Sequence, residues 1–309
     1  MGIQEAIRGG LLGLAVGDAL GVPVEFLSRS QVQTRRVEEM LGYGTHHQPR
    51  GTWSDDAALT FCLADSLCGG FNVERIAAAS LRWYEEGWWS PHGEVFDIRI
   101  ATRKALERLR DEKLSAVQAG LADEYSNGNG SLMRILPLAF LLGDKPLTEK
   151  VPVIAAVSSI THRHPRSIIA CVIYVELAGQ LLQGRTPQEG YKQVKRLVKA
   201  HYAGEPELVH YSRLLEGDIS TLDEEEIASS GYVVHTLEAA VWCLLTSGSY
   251  EDAVLKAVRL GEDTDTTGAV TGGLAGLWYG TDVIPEPWLS PLARRDDIEA
   301  LAARLAAAL

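Results

Sequence analysis

The stretch GEDTDTTG (261–268), followed by the small-residue run AVTGGLAGLWY (269–279), decides how this chain is read. Asp and Thr are poor in helix interiors but favoured at a helix start, where their oxygens accept from free backbone N–H groups. A short loop running into a helix that begins near Thr266 is therefore expected. Asp263 and Asp265 stand two residues apart and would not share a helical face. In a loop both can turn toward one point, with a Thr hydroxyl as a third oxygen. Hard oxygen donors of this kind suit Mg2+, Mn2+ or Ca2+ better than zinc or copper. The plain alternative is an over-capped helix start with its acids in solvent.

A second acidic loop, GTWSDD (51–56), precedes another apolar run, AALTFCLADSL (57–67). It offers the Ser54 hydroxyl and the adjacent carboxylates of Asp55 and Asp56. Adjacent carboxylates repel, and without a cation one of the pair has a raised pKa. Neither loop has a full ligand set alone. Together they supply four carboxylates and two or more hydroxyls, enough for two cations with water completing the shells. The pairing favours a metal site over coincident helix caps.

Working outward, the segment 3–20 reads as a helix carrying Gly9, Gly13 and Gly17, and the helix after the first-quoted loop carries Gly268, Gly272 and Gly276. Glycine costs helix stability, so a stripe every four residues points to close backbone approach. The two helices are expected to pack together near the acidic loops. Further helices are expected over 57–67, 73–86, 96–110, 132–142, 166–182, 187–200, 250–260 and 297–309, and from 231–235 on to about 246, with Asp97 at or near the start of the one at 96–110. Strand-like alternation is absent, and no linker or solenoid-period repeat divides the chain. The expectation is an all-α fold of a dozen or more helices in one domain spanning 1–309.

Composition agrees. The 309 residues are 46% hydrophobic and 23% charged, the mix of a soluble globular protein. A net charge of −12 with no basic block argues against bulk nucleic-acid binding. Apolar runs such as 135–142 fall short of a membrane span. The first residues lack the basic start and apolar core of a signal peptide, and the four cysteines show no CxxC pairing. Buried thiols in a reducing compartment, and hence a cytoplasmic address, are expected.

Several loops bear polar groups. In SNGNGS (126–131) two glycines allow positive φ and expose backbone N–H groups ahead of the helix expected at 132–142, the design of an anion cradle. The loop lacks GK[ST] and GxGxxG, and a generous turn is its plain reading. THRHP (161–165) places His162 before a helix, whereas His46 and His47 read as loop residues rather than ligands. Glu25, just past the first helix, reads alone as a surface acid. Trp88 and Trp89 mark either a binding rim or burial between helices.

The pieces GDALGVPVEF (17–26), GTWSDDAALT (51–60), FDIRIATRKAL (96–106), SNGNGSLMRILPLA (126–139), THRHP (161–165), GYVVHTLEAAVW (231–242) and GEDTDTTGAVTGGLAGLWYG (261–280) resemble, in order, the motifs of the ADP-ribosylglycohydrolase family. The resemblance covers nearly the whole chain. It implies an all-α fold and a centre of two Mg2+ or Mn2+ ions that releases ADP-ribose from a modified residue. The implied cation ligands are Ser54, Asp55, Asp56, Asp263, Asp265 and Thr266. A mobile glutamate falls on Glu25, and a diphosphate and ribose loop on Ser126, Gly128, Asn129 and Gly130. His162 matches a ligand-contacting histidine, and Asp97 an aspartate facing the guanidinium side of the cleft.

The implied reaction is hydrolysis at the distal ribose C1″ through an oxocarbenium-like transition state. Asp55 and Asp263 act with Glu25 and Asp97, either of the last two serving as general acid/base. A carboxylate can take a guanidinium bidentately, so Asp97 favours an ADP-ribosyl-arginine substrate. The same scaffold would also suit ADP-ribosyl-serine or O-acetyl-ADP-ribose, or a non-catalytic ADP-ribose-binding module, which the retained carboxylates of both loops disfavour. Ser131 and Leu132 stand where other members carry smaller residues, and Ser54 where many have Thr; neither removes a ligand. The expected partners are an ADP-ribosylated protein and the ADP-ribose product, with no nucleic acid and no membrane span, and the chain is expected to be a monomer.

Overall fold

Gly9, Gly13 and Gly17 face Gly276, Gly272 and Gly268 across an antiparallel helix pair, and none of the six positions has room for a side chain. A Cβ at any of them would land against the facing carbonyl oxygen. Each glycine costs its helix about 1 kcal/mol relative to alanine, and direct backbone contact is what offsets it. The expectation of a tightly packed pair is met.

The computed structural model describes residues 2–35 and 37–309. The glycine pair is α1 (Ile3–Gly21) and α14 (Thr264–Tyr279). Between them run α2 (Arg29–Arg35), α3 (Asp55–Leu67), α4 (Val73–Glu86), α5 (Ile100–Asp111), α6 (Ala116–Ala119), α7 (Pro137–Leu142), α8 (Leu147–Ser158), α9 (Pro165–Leu182), α10 (Pro187–His201), α11 (Ser212–Leu215), α12 (Val233–Thr246) and α13 (Tyr250–Arg259). The chain closes with α15 (Glu286–Leu289) and α16 (Arg295–Ala308). The described residues form no sheet, only isolated bridges such as Leu121–His162 and Gly128–Tyr232. The fold is all-α.

Three local expectations are corrected. Helix α14 starts at Thr264 rather than near Thr266, because Asp263 takes the cap position and Thr264 Oγ1 anchors the first turn on Gly21 O at 2.8 Å. The segment expected as a helix from 132 breaks into a turn, and α7 starts only at Pro137. Proline lacks an N–H and is tolerated only in the first turn. Asp97 is not a helix cap: α5 begins at Ile100 with Arg99 before it, and Asp97 adopts φ +55°.

Helices α1 and α9 are long and apolar enough to cross a membrane, contrary to the expectation drawn from shorter runs, but their apolar windows are 94% and 83% buried within the fold. They are core helices. Cys62, Cys171 and Cys243 are buried, Cys68 is half-buried, and all four are free thiols. Trp89 is buried with its ring 5.4 Å from Phe61, so burial rather than a binding rim accounts for it.

Candidate active site

At one end of the glycine pair, α1 hands over to a 3-10 turn (Val22–Val24) that delivers Glu25. The next residues lock to the acidic loop before α14: Phe26 N donates to Glu262 O and Glu262 N to Leu27 O, each at 2.7 Å. Phe26 and Glu262 both adopt φ near +60°, as Asp97 does. Non-glycine residues in this region are held there by their surroundings, and they concentrate at functional sites. The two-bond ladder sets Glu25 beside Asp263, and one oxygen each of Glu25, Asp263 and Asp265 lie within 4.8 Å of one another.

The second acidic loop joins from α3. Asp18, buried in the last turn of α1, accepts from Ser54 N at 2.9 Å and Ala57 N at 3.0 Å and so caps α3 from another helix. Ser54 Oγ donates to Asp56 Oδ2 at 3.1 Å, and Thr266 Oγ1 approaches the same oxygen at 3.4 Å. The two loops thus touch through Asp56 and Thr266. Asp55, Asp56 and Asp265 stand in the first turns of α3 and α14, with Asp263 at the α14 cap. The positive end of each helix dipole faces this charge and partly offsets it.

The offset is incomplete. Burial, then the charge of Asp265, pushes Asp263 up to about 7, and burial with Asp97 does the same to Asp265. Asp18, Asp55 and Asp56 are driven far above the carboxylate range by burial and by neighbouring carboxylates. Glu25 is pushed up to about 12 by burial and the charges of Asp265 and Asp97, against the pull of Arg99. Three buried oxygens, Asp55 Oδ2, Asp56 Oδ1 and Asp265 Oδ2, have no hydrogen-bond partner among the described residues. Buried carboxylates without donors are strongly disfavoured unless they coordinate metal. The oxygen-only donor set of Ser54, Asp55, Asp56, Asp263, Asp265 and Thr266 fits a hard divalent cation.

Two residues enter the site unannounced. Arg99 Nη2 donates to Glu25 Oε1 at 2.5 Å and to Asp263 Oδ1 at 2.7 Å. His46, expected as a loop residue, places Nε2 2.5 Å from Glu25 Oε2 and 3.9 Å from Asp97 Oδ1. Glu25 is therefore fully buried and held from two sides, not a surface acid. Local sequence carries no signal for either contact; the only hint for Arg99 is its place two residues from Asp97. Asp18 is a third residue not singled out in the sequence, although an acid within an apolar helix is a signal that could have found it.

Beside the carboxylates opens a cleft of about 500 Å³, its wall including Arg99, Ser126, Gly128, Asn129, Gly130 and His162. Asn129 links cleft and centre, its Nδ2 donating to Asp263 Oδ2 at 2.8 Å and Thr236 Oγ1 at 2.9 Å. The cradle differs from expectation in three ways. It does not sit at a helix N-terminus, and the amides of Ser126 and Asn129 are already bound to Asp123 O and Gly231 O. Neither Gly128 nor Gly130 has positive φ; Gly130 is required because a Cβ there would press on His162 Cε1 and Thr102 Oγ1 at 2.8 Å. His162 itself is buried rather than exposed, reaching the cleft only by its ring edge.

The fold and the site together define an all-helical protein with a cation-ready acidic centre at the foot of a ligand-sized cleft. The family model described as ADP-ribosylglycohydrolase matches residues 1–309, and the chain belongs to that family. It is 34% identical to an ADP-ribosylarginine hydrolase of Pseudomonas putida, over 97% of this chain and 78% of the relative. It is 30% identical to the ADP-ribosyl-[dinitrogen reductase] glycohydrolase of Rhodospirillum rubrum, over 94% and 91%. A solved structure titled ADP-ribosylglycohydrolase-related protein complex superposes with a TM-score of 0.81 at 35% identity, covering 98% of each chain.

Proposed function

We propose that this protein is a divalent-cation-dependent hydrolase that releases ADP-ribose from ADP-ribosylated arginine side chains by cutting the N-glycosidic bond at ribose C1″. The observation that carries the reading is the meeting of two acidic helix starts at Asp56 and Thr266, with three buried carboxylate oxygens lacking donors, beside a cleft walled by glycines. The arginine-directed relative supports the acceptor. So does the site's own chemistry, because Glu25 and Asp263 already hold one guanidinium, that of Arg99.

In this reading Ser54, Asp55 and Asp56 from one loop and Asp263, Asp265 and Thr266 from the other hold two Mg2+ or Mn2+ ions. Bound there, the ions would lower the pKa of a coordinated water and fix the ribose hydroxyls. Asp97, grouped with Glu25 and His46, accepts the substrate guanidinium. Glu25 is among the site carboxyls able to hold a proton at neutral pH, because burial favours its neutral form. That proton goes to the departing guanidine nitrogen as the C1″–N bond breaks, water forms the new C1″–O bond and returns a proton to Glu25, and the surrounding carboxylates stabilise positive charge developing on the sugar. The cleft of Ser126, Gly128, Asn129, Gly130 and His162 takes the diphosphate and proximal ribose. The test is product release from ADP-ribosyl-arginine and ADP-ribosyl-serine peptides and from O-acetyl-ADP-ribose. Release from arginine alone, lost in Asp97→Asn, supports the reading; release from serine or the acetyl ester at equal rate contradicts the acceptor assignment.

A further inference from the structure

Beneath the glycine loop lies a buried cation with no acidic partner among the described residues. Arg134 is 2% exposed, and its Nη1 donates to Gly130 O at 2.5 Å. Its Nη2 donates to Thr161 Oγ1 at 2.7 Å and, at a longer 3.4 Å, to Val157 O. Thr161 Oγ1 lies 2.8 Å from Nδ1 of the next residue, His162. All three side chains are buried.

A guanidinium can only donate, whereas a hydroxyl has one proton and two lone pairs. Thr161 Oγ1 therefore accepts from Arg134, and its single proton remains to be placed. Among the described residues, Nδ1 is the one acceptor within hydrogen-bond reach of it. Were Nδ1 protonated instead, Thr161 would accept twice and its own buried proton would have no acceptor, which disfavours that arrangement by about ten-fold or more. The ring is neutral at pH 7, since burial and the Arg134 charge push His162 down to about 3. A neutral imidazole whose Nδ1 accepts carries its proton on Nε2. Nε2 lies on the cleft side, in ordinary contact range of Gly128 at 3.6 Å from an added Cβ.

We propose that Thr161, oriented by the buried Arg134, is a positioning residue that fixes His162 as its Nε2–H tautomer and so presents one hydrogen-bond donor into the cleft. The same guanidinium grips Gly130 O, so the donor and the loop beside it are set by one group. A fixed neutral donor suits an acceptor oxygen, of a ribose hydroxyl or a phosphate ester, and does not depend on the ring becoming charged. That the oxygen belongs to ADP-ribose rests on the function proposed above; the tautomer does not.

The test is nitrogen-15 NMR of the histidine rings at pH 7, with ADP-ribose binding measured by calorimetry, on the full chain and on Thr161→Ser and Thr161→Val. The native protein and the serine variant are expected to show protonated Nε2 and hydrogen-bonded, unprotonated Nδ1 at His162. The valine variant, equal in shape, is expected to lose the Nδ1 hydrogen-bond signature and to bind ADP-ribose about ten-fold more weakly, with the serine variant within two-fold of native. Protonated Nδ1 in the native protein, or a valine variant unchanged in ring shifts and affinity, overturns the proposal. If the native protein does not bind ADP-ribose, the function assignment falls while the ring shifts still decide the role of Thr161.

Discussion

Arg99 and Asp263, 164 residues apart in sequence, meet through a 2.7 Å hydrogen bond from Nη2 to Oδ1, and the same Nη2 reaches Glu25. A guanidinium is thus seated on two of the three carboxylates that come close enough to share a cation. Arg99 and a divalent ion compete for the same oxygens, and like charges at such range disfavour each other.

Replacing Arg99 by alanine should therefore tighten Mn2+ binding by about ten-fold in calorimetry, since one positive charge is removed next to the site. The same variant should unfold at a lower temperature in EDTA, because the buried carboxylates lose their counter-ion. Weaker Mn2+ binding would show that Arg99 helps to build the centre rather than competing for it.

The raised carboxylates make a pH prediction whose sign follows from linkage. Asp263 and Asp265 titrate near 7 in the folded chain, against about 4 when unfolded. Between those values the folded state binds more protons, so stability falls as pH rises from about 4 to about 7. In EDTA, the melting temperature of the native protein should drop more steeply over this range than that of Asp265→Asn, and Mg2+ should restore more of it at pH 8. Parallel profiles for the two proteins would count against charge crowding at Asp265.

Gly272→Ala tests the helix pair that carries Asp265 and, through Asp18, holds the start of α3. Its Cβ would run into Gly13 O, with backbone on both sides and no flexible atom to yield. A loss of about 3 kcal/mol is expected, at the upper end of overpacking costs, and activity should fall with it because Asp265 and Asp18 ride on the two helices. Gly248→Ala, with nothing within 4 Å, is the control and should change neither by much.

These features differ in how far they could be read beforehand. The glycine stripes were legible because their four-residue period has one physical use, and the acidic helix starts because Asp, Ser and Thr there conflict with a purely apolar helix. His46 and Arg99 were not, because each meets Glu25 through the folded path of the chain, 21 and 74 residues away. Nothing local separates such an Arg or His from an ordinary loop residue. Asp97 misled for a related reason: a carboxylate shortly before a helix reads as a cap, whereas the backbone turns left-handed at Asp97 and α5 begins only at Ile100. The break before Pro137 was visible in the sequence, but the apolar run around it suggested helix throughout.

The central claim is that Asp55 and Asp263, from opposite ends of the chain, serve one cation-dependent hydrolytic centre. Its most direct test is ADP-ribose release from an ADP-ribosyl-arginine peptide by the native protein, Asp55→Ala and Asp263→Ala, each with Mg2+ and with EDTA. The account predicts release by the native protein with Mg2+ only, and a drop of at least about a hundred-fold in EDTA and in either variant. Release that persists in EDTA, or in a variant whose fold is intact, would contradict it.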